Sequence, residues 1–164
     1  MTDLPELLAR IQTPVLIDLI NYWGVIRKNR PIPLRQHFNP VDIPQCLRHI
    51  ILIDVLDERP RYYIRLAGSV VNPAFPHAAN GQFIENVLHE EDRQEVLAQY
   101  ERSVKQAAPT YKKSTVKVPS GRRLAYERII LPMSGDGEKV DKLITGINFF
   151  DVRPGVMDRP ILKI

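Results

Sequence analysis

His37, Cys46 and His49 fall in one short stretch of the chain, and the last two form a C-x-x-H pair. A thiol beside an imidazole is the raw material of a nucleophile and its base, or of two ligands to a metal. Structural zinc takes four protein ligands. With Cys46 the single cysteine, the stretch assembles no metal site. Free cysteine most often behaves as a small buried hydrophobe, and His49, directly ahead of an apolar run, reads as a local hydrogen-bonding group. An enzyme working from His37, Cys46 and His49 stays as an alternative, with no catalytic residue assigned. The sequence contains no G-x-G-x-x-G, P-loop or H-E-x-x-H pattern. Its "SGDGE" at 134–138 suits a hairpin turn better than a cation loop.

Positive charge is the second chemical resource. Formal net charge is +4, from 23 basic and 19 acidic residues. Arg27, Lys28, Arg30 and Arg35 form one cluster, and Lys112, Lys113, Lys117, Arg122 and Arg123 form another. Nucleic-acid binding requires such residues on one face, and the Lys112–Arg123 segment supplies that alternative. The simpler reading is a solvated helix end and a solvated hairpin.

The elements that position these groups follow from periodicity. Leu4, Leu7, Leu8 and Ile11 recur at helical spacing over 3–12. Thr13-Pro14 resembles a cap followed by proline in the first turn. Behind it, Leu16, Leu19, Ile20, Trp23 and Ile26 make an apolar stripe that ends at "RPIP". Residues 34–48 are irregular, with one helical turn at 41–47. "HIILIDV", a turn at 57–60 and "RYYIRLAGS" read as an antiparallel hairpin. Short broken segments fill 69–88. The run "HEEDRQEVLAQYERSVKQAA" is the clearest helix, with Glu90, Glu91 and Asp92 where the helix dipole favours negative charge. Strands over 111–118, 123–132 and 142–151 follow, joined by tight turns and therefore antiparallel. The order predicts an α+β fold: one five-stranded antiparallel sheet with helices on one face, preceded by N-terminal helices.

At 164 residues the chain suits one core. The expected division is an N-terminal helical extension over 1–33, a main domain over 34–152 and a tail over 153–164. The lone cysteine fits a reducing compartment. The N-terminus lacks the order of a signal peptide, and no apolar run approaches the roughly 20 residues that span a bilayer. A cytoplasmic protein without membrane contact is expected.

Behind the N-terminal helices, two strands, small helices, a longer helix and three strands is also the order of the PAS domain. The pieces "YW…RPIP", "NPVDIPQCLRHIILIDV", "RYYIRLAGS", "NGQFIENVL" and "ERIILPMSGDG" resemble, in sequence and order, a family of small stand-alone bacterial PAS proteins. There a Trp-bearing helix precedes a D-hydrophobic-P…L…H segment, a strand ending R-L-x-G-T and a strand ending L-P-hydrophobic-S. The resemblance runs from Tyr22 to Phe150. Ser69 stands where the family usually has threonine, and Phe75-Pro76 replaces an aromatic-Gly pair.

That resemblance implies a sensory domain in signal transduction, with a pocket between the sheet and the helices. Its orienting polar groups would be Tyr63, Arg65, Tyr126 and Asn148, and its apolar lining Phe75, Phe83, Leu97, Tyr100 and Ile147. An arginine on a half-buried strand needs a partner, either an acidic ligand or a side chain such as Glu127. Flavin photosensors of this type carry an Asn-Cys-Arg-Phe stretch on the small helices. Here "NPAFPHAANGQF" has no cysteine, which speaks against a flavin thiol adduct. Haem relatives take a histidine from the long helix, and beyond His89 this helix has none. The cofactor is left unassigned. With no kinase, cyclase or DNA-binding segment in these residues, output is expected through association. That means a partner protein or a homodimer, the latter through Leu16, Leu19, Ile20, Trp23 and Ile26, a stripe that would pack on the sheet's open face or on a second copy.

Overall fold

The computed structural model describes residues 3–150. The expected tail at 153–164 lies outside the described residues. Helix α1, Leu4–Arg10, and helix α2, Pro14–Ile26, come first. Three short 3₁₀ turns then lead into strand β1, Ile50–Val55, and strand β2, Tyr62–Ala67. A 3₁₀ turn at Asn72–Ala74 and helix α3, Ile84–Val87, precede the long helix α4, Glu90–Gln106. Strands β3, Thr110–Lys117, β4, Arg123–Met133, and β5, Lys142–Phe149, complete the described residues. All five strands form one antiparallel sheet in the order β2-β1-β5-β4-β3. The α+β architecture is the expected one. Among the described residues no helix is long and apolar enough to cross a membrane.

Both faces of the sheet are covered. On one, the 72–88 segment and α4 close over Ile51, Ile53, Ile64, Ile130, Leu143 and Ile147. On the other, α1 and α2 dock onto Ile50, Ile129, Leu131 and Ile144. This explains why "ERIILPM" is continuously apolar at its centre instead of alternating: a strand buried on both sides has no polar face. The stripe Leu16, Leu19, Ile20, Trp23 and Ile26 is fully spent in this contact. A homodimer through those five side chains is therefore corrected, since the chain's own sheet already covers them. Close docking needs Gly146, where a Cβ would lie 2.6 Å from Leu19 Cδ2 and 2.9 Å from Leu16 Cδ2. Trp23 adds a hydrogen bond from Nε1 to the Pro132 carbonyl at 2.8 Å.

The end of β2 has a comparable cause. Gly68 donates to the Ile50 carbonyl and Val70 to the Arg48 carbonyl, so the chain presses against the 3₁₀ turn ahead of β1. A Cβ on Gly68 would sit 2.5 Å from the carbonyl oxygens of Leu47 and Arg48. Only glycine tolerates so close an approach of two backbones. The chain turns here into the segment that roofs the sheet.

Candidate functional site

Period-2 alternation divides the strand residues between the two faces. On β4, Leu124, Tyr126 and Ile130 belong to the core under α4, and Arg128 shares their parity. On β5, Leu143, Thr145, Ile147 and Phe149 point the same way. Of these, Tyr126, Arg128, Thr145, Ile147 and Phe149, with the 72–88 segment and α4, line a partly open cavity of about 40 Å³. Of the nine residues expected at a pocket, Phe75, Tyr100, Tyr126 and Ile147 line this cavity.

The other five do not, and strand parity gives the main reason. Tyr63 and Arg65 stand opposite in parity to the buried Tyr62 and Ile64. Tyr63 stacks edge-on with Phe83 at 5.4 Å between ring centroids, outside the cavity. Arg65 is exposed and pairs with Asp54, which also accepts from Lys142 Nζ at 2.9 Å. Burial alone would raise the Asp54 carboxyl, but the Lys142 and Arg65 hydrogen bonds outweigh it and hold the group below its usual range. The Arg65 partner is thus Asp54 and not Glu127. Asn148 follows Ile147 and so faces α2, donating to Thr13 Oγ1 at 3.4 Å. Leu97 is partly buried against the same core without reaching the cavity.

The polar residues that line the cavity are His89, Tyr100, Lys117, Tyr126, Arg128 and Thr145. Tyr100 Oη lies 2.8 Å from Thr145 Oγ1, and burial pushes this phenol up to about 12. Burial raises Tyr126 as well. Arg128, missed from sequence, is 4% exposed. Its Nε donates to Gln99 Oε1 at 2.8 Å, and its guanidinium lies 4.8 Å from the centroid of the Tyr126 ring. The signal was available: a residue two positions after Tyr126 on one strand must share its face.

Glu127, next in the chain, points the opposite way and is fully buried. Its carboxylate accepts from Gln12 N at 2.6 Å, Thr13 N at 3.0 Å, Thr13 Oγ1 at 2.5 Å and Tyr111 Oη at 2.8 Å. Burial would raise this group, yet those donors outweigh it and hold its pKa below the ordinary value. The start of α2 is therefore secured by a carboxylate from β4. Thr13 is the N-cap of α2, as expected, and its side chain donates to Glu127 rather than accepting from the helix backbone.

His37, Cys46 and His49 form no nucleophile–base pair. Cys46 is buried beneath α2, its Sγ 3.5 Å from the Val15 carbonyl, and burial pushes the thiol up to about 11. His49 Nδ1 is 3.2 Å from the Ile147 carbonyl, and burial lowers its pKa. Among the described residues no cluster of three His, Cys, Asp or Glu is placed to hold a metal. Cys46 belongs to the core on the α2 face of the sheet, so no thiol faces the cavity for a flavin adduct. A volume of about 40 Å³ also falls far below the several hundred Å³ of sites for cofactor-sized molecules. Neither flavin nor haem fits this cavity.

Three of the five cations of the β3–β4 hairpin are ion-paired, while Lys113 and Arg122 have no ion pair among the described residues. Lys112 pairs with Glu95, Lys117 with Glu91, and Arg123 with both Glu91 and Asp92. The acidic first turn of α4 thus faces the cations that the nucleic-acid reading required.

No curated protein matches the chain in sequence. Solved structures are similar to it in fold. The PAS domain of a protein from Colwellia psychrerythraea is 12% identical with a TM-score of 0.54, over 69% of this chain and 98% of that one. A fungal LOV domain photoreceptor is 13% identical with a TM-score of 0.52, over 84% and 92%. The Rhodobacter sphaeroides LOV protein is 11% identical with a TM-score of 0.51, over 63% of this chain and 60% of that protein's length. The family model described as PAS domain matches residues 11–148. Sheet order, roofing helices and this match agree, and the chain belongs to the PAS-domain family.

Proposed function

We propose that this PAS domain is a sensor that binds a small ligand in the cavity between sheet and α4, and signals by association. One observation carries the reading: an apolar cavity lined by Phe75, Tyr126 and Ile147 that also presents the paired hydroxyls of Tyr100 and Thr145. Mostly apolar walls with a few convergent polar groups are the pattern of small-molecule sites. The output is association with a partner protein or a second copy. Its surface is not the buried stripe of α2. The outward side of that helix, where Val25 is 75% exposed, is the surface that a copy can reach.

Native mass spectrometry of protein purified without refolding tests this reading, because it reports bound mass and subunit number together. A small bound molecule is expected, and it is expected to be lost when Ile147→Trp fills the cavity. Equal retention of the molecule by Ile147→Trp overturns the proposal, as does a bare wild-type mass.

A further inference from the structure

We infer that the cavity is built for a small carboxylate, held by the guanidinium of Arg128. The inference rests on the cavity being the ligand site and adds the ligand's chemical class. Arg128 lies 96% removed from solvent, being 4% exposed. Its Nη2 is buried and has no hydrogen-bond partner among the described residues. No carboxylate stands within 4.0 Å of it among them either. Arginine cannot shed its proton to escape burial, so the positive charge persists in a low-dielectric site. A buried charge without a counter-charge is costly.

The compensation on hand is neutral. Gln99 gives one carbonyl to Nε, and its own amide nitrogen is committed to Thr110 Oγ1 at 3.2 Å and the Arg128 carbonyl at 3.5 Å. Tyr126 gives its ring face. The acids of the surrounding helices are engaged elsewhere. Glu95 pairs with Lys112, and Glu85 accepts from the backbone nitrogens of Arg61 and Tyr62. What remains is a planar donor fork with one unpartnered arm, on a residue that lines the cavity together with the apolar Ile51, Val96, Ile147 and Phe149. Lys117 also lines the cavity, but it is paired with Glu91 at 3.6 Å. A carboxylate matches that fork in shape and charge, and a short hydrocarbon tail matches the wall. About 40 Å³ corresponds to about three water-sized probes, so the tail must be short.

Thermal unfolding of the full chain in sodium propionate, propionamide and sodium chloride at matched ionic strength provides the test. Propionate is expected to raise Tm by about 3–6 °C at ten times its Kd. The amide and the chloride are expected to leave Tm unchanged, and Arg128→Met to abolish the rise while still unfolding cooperatively. Equal rises for propionate and propionamide overturn the carboxylate assignment but leave a ligand site standing. So does persistence of the propionate rise in Arg128→Met. No response to either probe, with a different molecule retained in native mass spectrometry, likewise sinks the carboxylate alone. No response and a bare native mass sink the ligand site with it. If Arg128→Met does not fold, wild-type protein with ¹³C-arginine decides: one Cζ resonance should move saturably with propionate, and none moving overturns the inference.

Discussion

Glu127 and Arg128 are consecutive on β4 and serve opposite faces of the sheet. The carboxylate holds the first residues of α2 through four donors, while the guanidinium next to it lines the cavity under α4. Any change that shifts this pair along the strand is felt on both sides.

Acid should release the α2 end of that relationship. Burial would raise the Glu127 carboxyl, but its four donors hold its folded pKa below the ordinary glutamate value. A depressed carboxyl stabilises the fold above the unfolded pKa, and that contribution is lost as pH falls through the folded value. Trp23, the single tryptophan and buried under α2, should shift its emission to the red as pH drops below about 4.5. Glu127→Gln should cost about 2 kcal/mol at neutral pH and flatten this acid limb. An unchanged acid limb in the variant would remove Glu127 as its source.

Gly68→Ala should be among the most damaging single-methyl additions in the chain. The new Cβ meets two backbone carbonyls at 2.5 Å, and backbone cannot swing aside as a side chain can. About 2–4 kcal/mol is expected, drawn from overpacking, and chemical denaturation reads it directly. A midpoint equal to wild type contradicts the close approach.

Cys46 should be nearly inert in the folded protein. With burial pushing its thiol up to about 11, the thiolate fraction at pH 8 falls about 100-fold. Modification by a colorimetric disulfide reagent should be slower by at least that factor than in denaturant. Comparable rates in both conditions would show the thiol to be accessible and ionisable.

Much of the architecture was legible because it is written in periodicity. The stripe of α2, the acidic start of α4 and the turns at 57–60 and 134–137 all mark elements that the structure contains. Which face each strand residue takes was harder to read. Ile147 and Asn148 were both assigned to the pocket, though neighbours on a strand cannot share a face, and Arg65 drew attention while Arg128 did not. Burial on both sides erased the polar alternation of β4 that separates inward from outward. Asp54 as the partner of Arg65 depends on the pairing of β1 with β2, a long-range relation that local pattern does not carry. The closeness of Gly68 to Leu47 and Arg48 is of the same kind.

Coverage of both faces also sets where the molecule can breathe. β4 and β5 are central in the sheet and almost entirely buried, whereas β3 is an edge strand that is half-solvated. Amide protons of Ile129–Leu131 and Ile144–Thr145 should therefore exchange last, through global opening, while those at the free edge of β3 exchange early. The layer between the cavity and α2 is thus expected to be the slowest-exchanging part of the protein, and a shift of its strands would move both faces together.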